Sequence, residues 1–209
     1  MPFSEVAERL RSRDGVQRVP NPALELFMVR DFLNAGERAE LIAMIEAQRR
    51  PSTLADDFGE AAFRTSETCD LSARDPLVAA VNGRISALLG LDDRLGEPIQ
   101  GQRYAPGQEF KAHTDTFEPA GADFYTHTAV SGQRTWTAMI YLNDVEDGGA
   151  TRFKTIGKTI QPEAGKLVAW NNLLGDGRPN PATLHQGMKV RRGVKYILTR
   201  WYREHPFPG

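Results

Sequence analysis

The sequence predicts a mainly β fold with packed helices (α+β), in the form of a two-sheet jelly roll backed by N-terminal helices. Helical periodicity is confined to the N-terminal half. From residue 97 onward, short β-rich runs alternate with turn signals such as Ala105-Pro106-Gly107 and Asp147-Gly148-Gly149. Eight such runs at this spacing suit a sandwich or barrel, and the amphipathic helices would lay their apolar stripes on one of its sheets.

Taken in order, Ser4 is read as the cap of a helix over 5–13, and residues 27–33 as a short strand. Asn34 caps a helix over 35–48, with Leu41, Ile42 and Ile45 at helical spacing. Residues 50–66 carry Pro51, Ser52, Gly59 and mixed charge, and read as a long loop of the kind that often serves as a lid. A second helix runs over 75–89, with Pro76 in its first turn and Gly90 closing it. The strand candidates are 98–104, 109–115, 135–142, 150–154, 158–161, 166–171, 183–188 and 194–202.

With 209 residues, 40% hydrophobic and 25% charged, the composition is that of an ordinary globular chain. One domain over 1–209 is expected, with 1–95 as helical support and substrate loop and 96–204 as the jelly-roll core. A net charge of −1 gives no bulk pull toward nucleic acid or an anionic membrane, so neither is expected as a partner. Lys189, Arg191, Arg192 and Lys195 cluster, but a run of that length is usually a solvated edge. The single cysteine, Cys69, excludes an internal disulfide framework and points to a reducing cytoplasm. A metal or nucleophile role for Cys69 is disfavoured, because no partner cluster surrounds it. Met1 to Val6 lacks the basic and apolar regions of a signal peptide, so none is expected. No apolar stretch is long enough for a membrane helix. The sequence leaves the oligomeric state open.

The chemistry centres on His113, Asp115 and His185. Positions i and i+2 of a strand share a face, so His113 and Asp115 would present an imidazole and a carboxylate together. Joined by the distant His185, they would make a two-His, one-carboxylate facial triad, which holds Fe(II) on one side and leaves the other positions open. A His-x-Asp pair arises easily by chance, and a lone strand His is more often a hydrogen-bonded structural residue. The case rests on the surrounding residues.

Those residues carry a family resemblance. The stretch RYAPGQEFKAHTD (103–115) resembles the metal-binding segment of prolyl 4-hydroxylases, as does GQRTWTAMIYLNDVEDGGAT (132–151). A third block runs from Pro162 through Trp170-Asn171 to Thr183-Leu184-His185, and a fourth is KYILTRW (195–201). Four blocks agree in order and spacing over roughly residues 60–203. The resemblance implies a double-stranded β-helix, the jelly-roll core of Fe(II)- and 2-oxoglutarate-dependent dioxygenases.

It further implies that His113, Asp115 and His185 are the iron ligands and that Lys195 binds the distal carboxylate of 2-oxoglutarate. A buried dicarboxylate needs a fixed counter-charge, and the apolar Val194, Ile197 and Leu198 argue that Lys195 lies on a buried strand rather than at an exposed end. Tyr104 stands where family members donate a hydrogen bond to 2-oxoglutarate. The alternative is an ordinary core Tyr. Thr199 and Trp201 share the parity of Lys195, and pocket lining and plain packing both fit. Tyr141 is read as core before pocket. Arg64, in an Arg-Thr-Ser element that borders the peptide groove in family members, is either a substrate contact or a surface Arg. Residues 117–132, with Phe117, Phe124, Tyr125 and His127, are either a substrate-gripping flap or a loop packed by its own side chains. His127 as an extra metal ligand is the lesser reading.

The implied reaction is hydroxylation of a C–H bond, most closely that of a prolyl residue in a peptide or protein. 2-Oxoglutarate and O2 are consumed, succinate and CO2 are released, and ascorbate serves as reductant. Alternatives are a same-fold oxygenase acting on a free amino acid or on nucleic acid, and a non-enzymatic barrel that binds metal or a partner.

Overall fold

The computed structural model describes residues 3–52, 63–121 and 124–208. The N-terminal part contains α1 (Phe3–Arg11), β1 (Val16–Arg18), β2 (Leu26–Val29), α2 (Ala35–Gln48), β3 (Arg50–Pro51), β4 (Glu67–Asp70) and α3 (Pro76–Leu89). Then follow β5 (Gln100–Tyr104), β6 (Phe110–His113), the short helix α4 (Phe124–Thr128) and β7 (Arg134–Tyr141). The C-terminal strands are β8 (Asp147–Gly148), β9 (Thr151–Phe153), β10 (Lys158–Ile160), β11 (Leu167–Asn171), β12 (His185–Gly187), β13 (Val190–Arg192) and β14 (Lys195–Arg203).

The strands form an eight-stranded sheet, β1-β2-β11-β7-β14-β5-β4-β3, and a four-stranded sheet, β10-β9-β12-β6, with a two-stranded β13-β8 ribbon between turns. Every pairing is antiparallel. This is the expected jelly roll.

Strand alternation builds two cores. On β7, Trp136, Ala138 and Ile140 face one way and join Leu167, Ala169, Leu198 and Tyr202 of neighbouring strands. Val6, Leu10, Leu41, Ile45, Val81 and Ile85 from α1, α2 and α3 pack against them. The opposite parity, Met139 and Tyr141 with Val168, Trp170 and Ile197, meets Phe153 and Ile160 of the small sheet. The site lies in this second layer. α2 rests so closely on β5 that a Cβ on Gly101 would stand 2.5 Å from Ile45 Cγ1, so only glycine fits there.

Asn34 caps α2 through a reciprocal capping box with Glu37. Asp75 caps α3 with Pro76 in the first turn, and Gly90 ends it at φ 72. α1 departs from expectation: it starts at Phe3, so Ser4 lies within the helix rather than capping it, and it stops at Arg11. The expected strand over 27–33 covers Leu26–Val29 instead, because Asp31 turns the chain at φ 51. The N-terminal half is also less purely helical than its periodicity suggests, since β1, β2, β3 and β4 extend both ends of the large sheet. Residues 50–66 are not a free loop at their margins: β3 pairs with β4, and Ser52 N–H donates to the Ser66 carbonyl at 3.1 Å. The middle of that expected lid, 53–62, lies outside the described residues.

Candidate active site

His113 ends β6 and His185 opens β12, and the two stand opposite each other in the antiparallel ladder. Asp115 does not share the strand as the i, i+2 pattern expected: β6 ends at His113, and the carboxylate enters from the bend that follows. Gln133 clamps that bend, accepting from Phe117 N–H at 2.9 Å and donating to the Phe117 carbonyl at 2.8 Å. One ligand atom from each of His113, Asp115 and His185 lies within 4.8 Å of the others. Among the described residues no other such group occurs.

Each ligand is oriented by a hydrogen bond on its far side. His113 Nδ1 pairs with the Lys111 carbonyl and His185 Nδ1 with the Thr183 carbonyl, both at 2.8 Å. A carbonyl only accepts, so both Nδ1 atoms carry the hydrogen and both Nε2 lone pairs are left for a metal. Asp115 Oδ2 accepts from Thr137 Oγ1 at 2.6 Å, while Oδ1 stands 3.8 Å from His113 Nε2. Phe110 stacks on His113 at 3.6 Å and Trp170 meets His185 edge-on at 5.0 Å, which fixes both rings. Burial, and then the neighbouring His185, carry the His113 pKa down to about 3, so the imidazole is neutral at ordinary pH. Burial pushes the Asp115 carboxyl up, but His185, His113 and the Thr137 hydroxyl outweigh it and hold the group low. Two imidazoles that each keep Nε2 toward one space, with a carboxylate beside them, fit Fe(II).

The three side chains line one cavity. Tyr104, Lys195, Thr199 and Trp201 line the same cavity. Lys195 and Tyr104 are cross-strand partners on β14 and β5. Lys195 is only 1% exposed, and no carboxylate lies in ion-pair reach of it among the described residues. Its Nζ sits over the Tyr104 and Tyr141 rings at 5.0 and 5.5 Å, and burial carries its pKa down to about 7. Gly149, at φ 68, lets the chain pass beside its stem. A buried cation facing a cavity, with no carboxylate in ion-pair reach among the described residues, fits a ligand that brings one.

The remaining candidates separate. Tyr104 O–H donates to Gln102 Oε1 at 2.7 Å. Tyr141 does not line the cavity; it donates to Thr151 Oγ1 at 2.7 Å within the inter-sheet core. Arg64 lies outside the cavity lining and points inward, donating to Ser66, Thr68 and Gln100 at 3.1, 3.0 and 2.9 Å. Its guanidinium lies 4.9 Å over Phe110, itself a lining residue. His127 stacks on Phe117 at 4.8 Å, outside the metal-binding group. Cys69 is a buried core residue whose thiol pKa burial raises. Within 117–132, Tyr125 and Val130 are exposed on and after α4.

Sequence reasoning missed Thr137, Gln102 and Arg134. Arg134 forks onto Glu97 at 2.6 and 2.8 Å and lies 4.0 Å over Trp201. A signal existed for Thr137: on β7, polar Thr135 and Thr137 alternate with apolar Trp136 and Ala138, marking a polar inner face.

The comparisons with known proteins agree with this geometry. Residues 99–203 match the family model of the 2OG-Fe(II) oxygenase superfamily. The chain is 33% identical to prolyl 4-hydroxylase subunit alpha-1 of Rattus norvegicus over 145 residues, 69% of this chain and 27% of that protein. It thus spans about a quarter of that relative's length. It is 30% identical to the probable prolyl 4-hydroxylase 4 of Arabidopsis thaliana, covering 87% of this chain and 68% of the relative. A solved structure of the viral collagen prolyl hydroxylase of Paramecium Bursaria Chlorella virus-1 shares the fold, with a TM-score of 0.66, 24% identity and coverage of 85% and 95% of the two chains. A two-imidazole, one-carboxylate group and a buried lysine in one cavity, on a jelly roll with these relatives, mean that the chain belongs to the 2OG-Fe(II) oxygenase superfamily, as a prolyl 4-hydroxylase-like member.

Proposed function

We propose that this chain is a dioxygenase that hydroxylates a prolyl residue in a peptide or protein. The observation that carries the reading is one cavity lined by both the His113–Asp115–His185 group and an unpaired, buried Lys195. The superfamily implies Fe(II), 2-oxoglutarate and O2. When bound, the iron supplies O2 activation coupled to decarboxylation of 2-oxoglutarate to succinate and CO2.

The protein's part is binding and orientation. His113 and His185, through Nε2, and Asp115, through Oδ1, would hold the metal. Lys195 would meet the far carboxylate of 2-oxoglutarate as an ammonium, and the Tyr104 hydroxyl would turn from Gln102 to donate to the same ligand. Thr199 and Trp201 would bound the pocket. Trp170, Phe153 and Phe110 exclude water around the imidazoles. Arg64, which lies over the pocket-lining Phe110, would border the side from which a peptide enters. Ascorbate would return oxidised metal to Fe(II). The whole of 1–209 acts as a single domain, and the lone, buried Cys69 suits a reducing cytoplasmic setting. A nucleic-acid substrate is disfavoured by the net charge of −1.

The test is succinate formation with Fe(II), ascorbate, O2 and 2-oxoglutarate, with and without a proline-rich peptide. Turnover that rises with the peptide and vanishes in His185→Ala supports the reading. Slow turnover indifferent to the peptide removes prolyl peptides as substrate, and no turnover with metal bound removes the enzyme reading.

A further inference from the structure

The Asp115 carboxylate has two oxygens, and a facial triad is useful only if one of them is used. A carboxylate that chelates through both occupies a coordination position that the co-substrate needs. The protein has a device on the unused oxygen. Asn172 Nδ2 donates to Thr137 Oγ1 at 2.8 Å, and Thr137 Oγ1 donates to Asp115 Oδ2 at 2.6 Å. The direction of this relay is forced. An ionised carboxylate only accepts, so the single hydroxyl hydrogen of Thr137 goes to Asp115, and the hydroxyl must then accept from Asn172.

Each member is immobile. Thr137 and Asn172 are both 0% exposed. Thr137 sits in the middle of the large sheet, in register with Trp201 on β14 and Trp170 on β11. The Asn172 backbone is held on both sides, donating to the Thr135 carbonyl at 2.8 Å and accepting from Asn180 N–H at 2.9 Å. Asn172 Oδ1 finds no hydrogen-bond partner despite its burial. That cost is tolerated in the one amide orientation that leaves Thr137 free to donate to Asp115.

We infer that Thr137, set by Asn172, is a positioning residue that restricts Asp115 to one metal-facing oxygen and so keeps a coordination position available to 2-oxoglutarate. The inference rests on the proposed oxygenase reading. It makes a prediction that a general supporting role does not. Loss of the hydroxyl frees Oδ2 to turn onto the metal. Metal affinity is then kept while co-substrate affinity falls, whereas a merely loosened site loses metal affinity first.

The experiment uses Mn(II), a redox-inert ion of similar ligand preference. Calorimetric titrations give the Kd of Mn(II) for the metal-free protein and the Kd of 2-oxoglutarate for the Mn(II)-loaded protein. Thr137→Val, nearly the same shape, is expected to bind Mn(II) as the unsubstituted protein does and to bind 2-oxoglutarate about tenfold more weakly. Thr137→Ser, which keeps the hydroxyl, is expected to restore the co-substrate affinity. Should Thr137→Val not fold, Thr137→Ala is read in the same way. Unchanged 2-oxoglutarate affinity without the hydroxyl overturns the inference, as does a loss of Mn(II) affinity as large as that for the co-substrate, or failure of Thr137→Ser to rescue. If the unsubstituted Mn(II)-loaded protein itself binds no 2-oxoglutarate, the oxygenase reading falls, and this inference with it.

Discussion

Lys195 and Arg203 stand at opposite ends of β14, and both are buried, at 1% and 4% exposure. Arg203 is fully engaged. It meets Glu97 Oε1 at 2.9 Å, donates to the Gly132 carbonyl at 3.0 Å and reaches the His127 carbonyl. Lys195 has aromatic rings around it and no carboxylate within ion-pair reach among the described residues. Desolvating a cation is costly, and only a matched partner offsets the cost. The same strand therefore carries one cation that belongs to the architecture and one, without a counter-ion among the described residues, that is proposed to meet a ligand. Burial does not distinguish them; the counter-ion does.

Exchanging each cation for methionine sets the two roles against each other. Lys195→Met is expected to weaken 2-oxoglutarate binding by about 3–4 kcal/mol, or two to three powers of ten, without lowering the thermal stability of the ligand-free protein. Calorimetric titration and melting curves read the two effects, and a destabilised variant would contradict the contrast. Arg203→Met strands the buried Glu97 beside a single remaining arginine, and about 3 kcal/mol of stability is expected to go in urea unfolding. Its folded fraction should still bind 2-oxoglutarate with unchanged Kd.

Proton linkage runs in the same direction at the two ends but in separate pH windows. The folded pKa of Lys195, about 7, lies below its ordinary 10.5, so the unfolded chain holds the proton more tightly between those values. The ligand-free protein should gain stability as pH rises through that window. The affinity for 2-oxoglutarate should fall over the same range, by up to about tenfold per pH unit, because the dianion prefers the ammonium. Burial pushes the Glu97 carboxyl up, but Arg134 and Arg203 outweigh it and hold the group below its ordinary 4.5. Its contribution is present above that value and is lost as pH falls below it. Binding isotherms and unfolding curves against pH test both arms. Lys195→Met should flatten only the alkaline one. The smallest effect is expected from Phe207→Ala, which removes a ring 5.9 Å from the Arg203 guanidinium: about 0.5–1 kcal/mol of stability and no change in 2-oxoglutarate binding.

The contrast between Lys195 and Arg203 also marks what a sequence can disclose. Lys195 stood out because its apolar neighbours and the motif blocks gave it a role. Glu97 lies 106 positions from Arg203, and nothing local links them. The capped helices were legible because capping is local: Asn34, Asp75, Pro76 and Gly90 each act within a turn of themselves. The longer strands from β5 onward, all but β8 and β13, were legible because alternation and turn residues bound them. β1, β3, β4, β8 and β13 were not, since two to four residues carry too little periodicity and their pairing is decided by distant neighbours. In the site, the clustering of His113, Asp115 and His185 was legible through their order in the motif blocks. Thr137 and Asn172, which meet across adjacent elements 35 positions apart, were hidden for the same reason as Glu97.

β6 is the last strand of the small sheet, with β12 on one side and, on the other, among the described residues, the short segment around Phe63 and Arg64. Strands in such positions are the first to part from a sheet. His113 is on β6 and His185 on β12, so an ion held by both, as proposed, would act as a rivet across this seam of the small sheet, tying chain segments 72 positions apart. Metal occupancy thereby becomes a property of the sheet as well as of the site. The amides of Phe110 to His113 should exchange with solvent quickly in the metal-free protein and slowly once it is loaded, while those of β7 and β14, buried beneath the helices, should not register the difference.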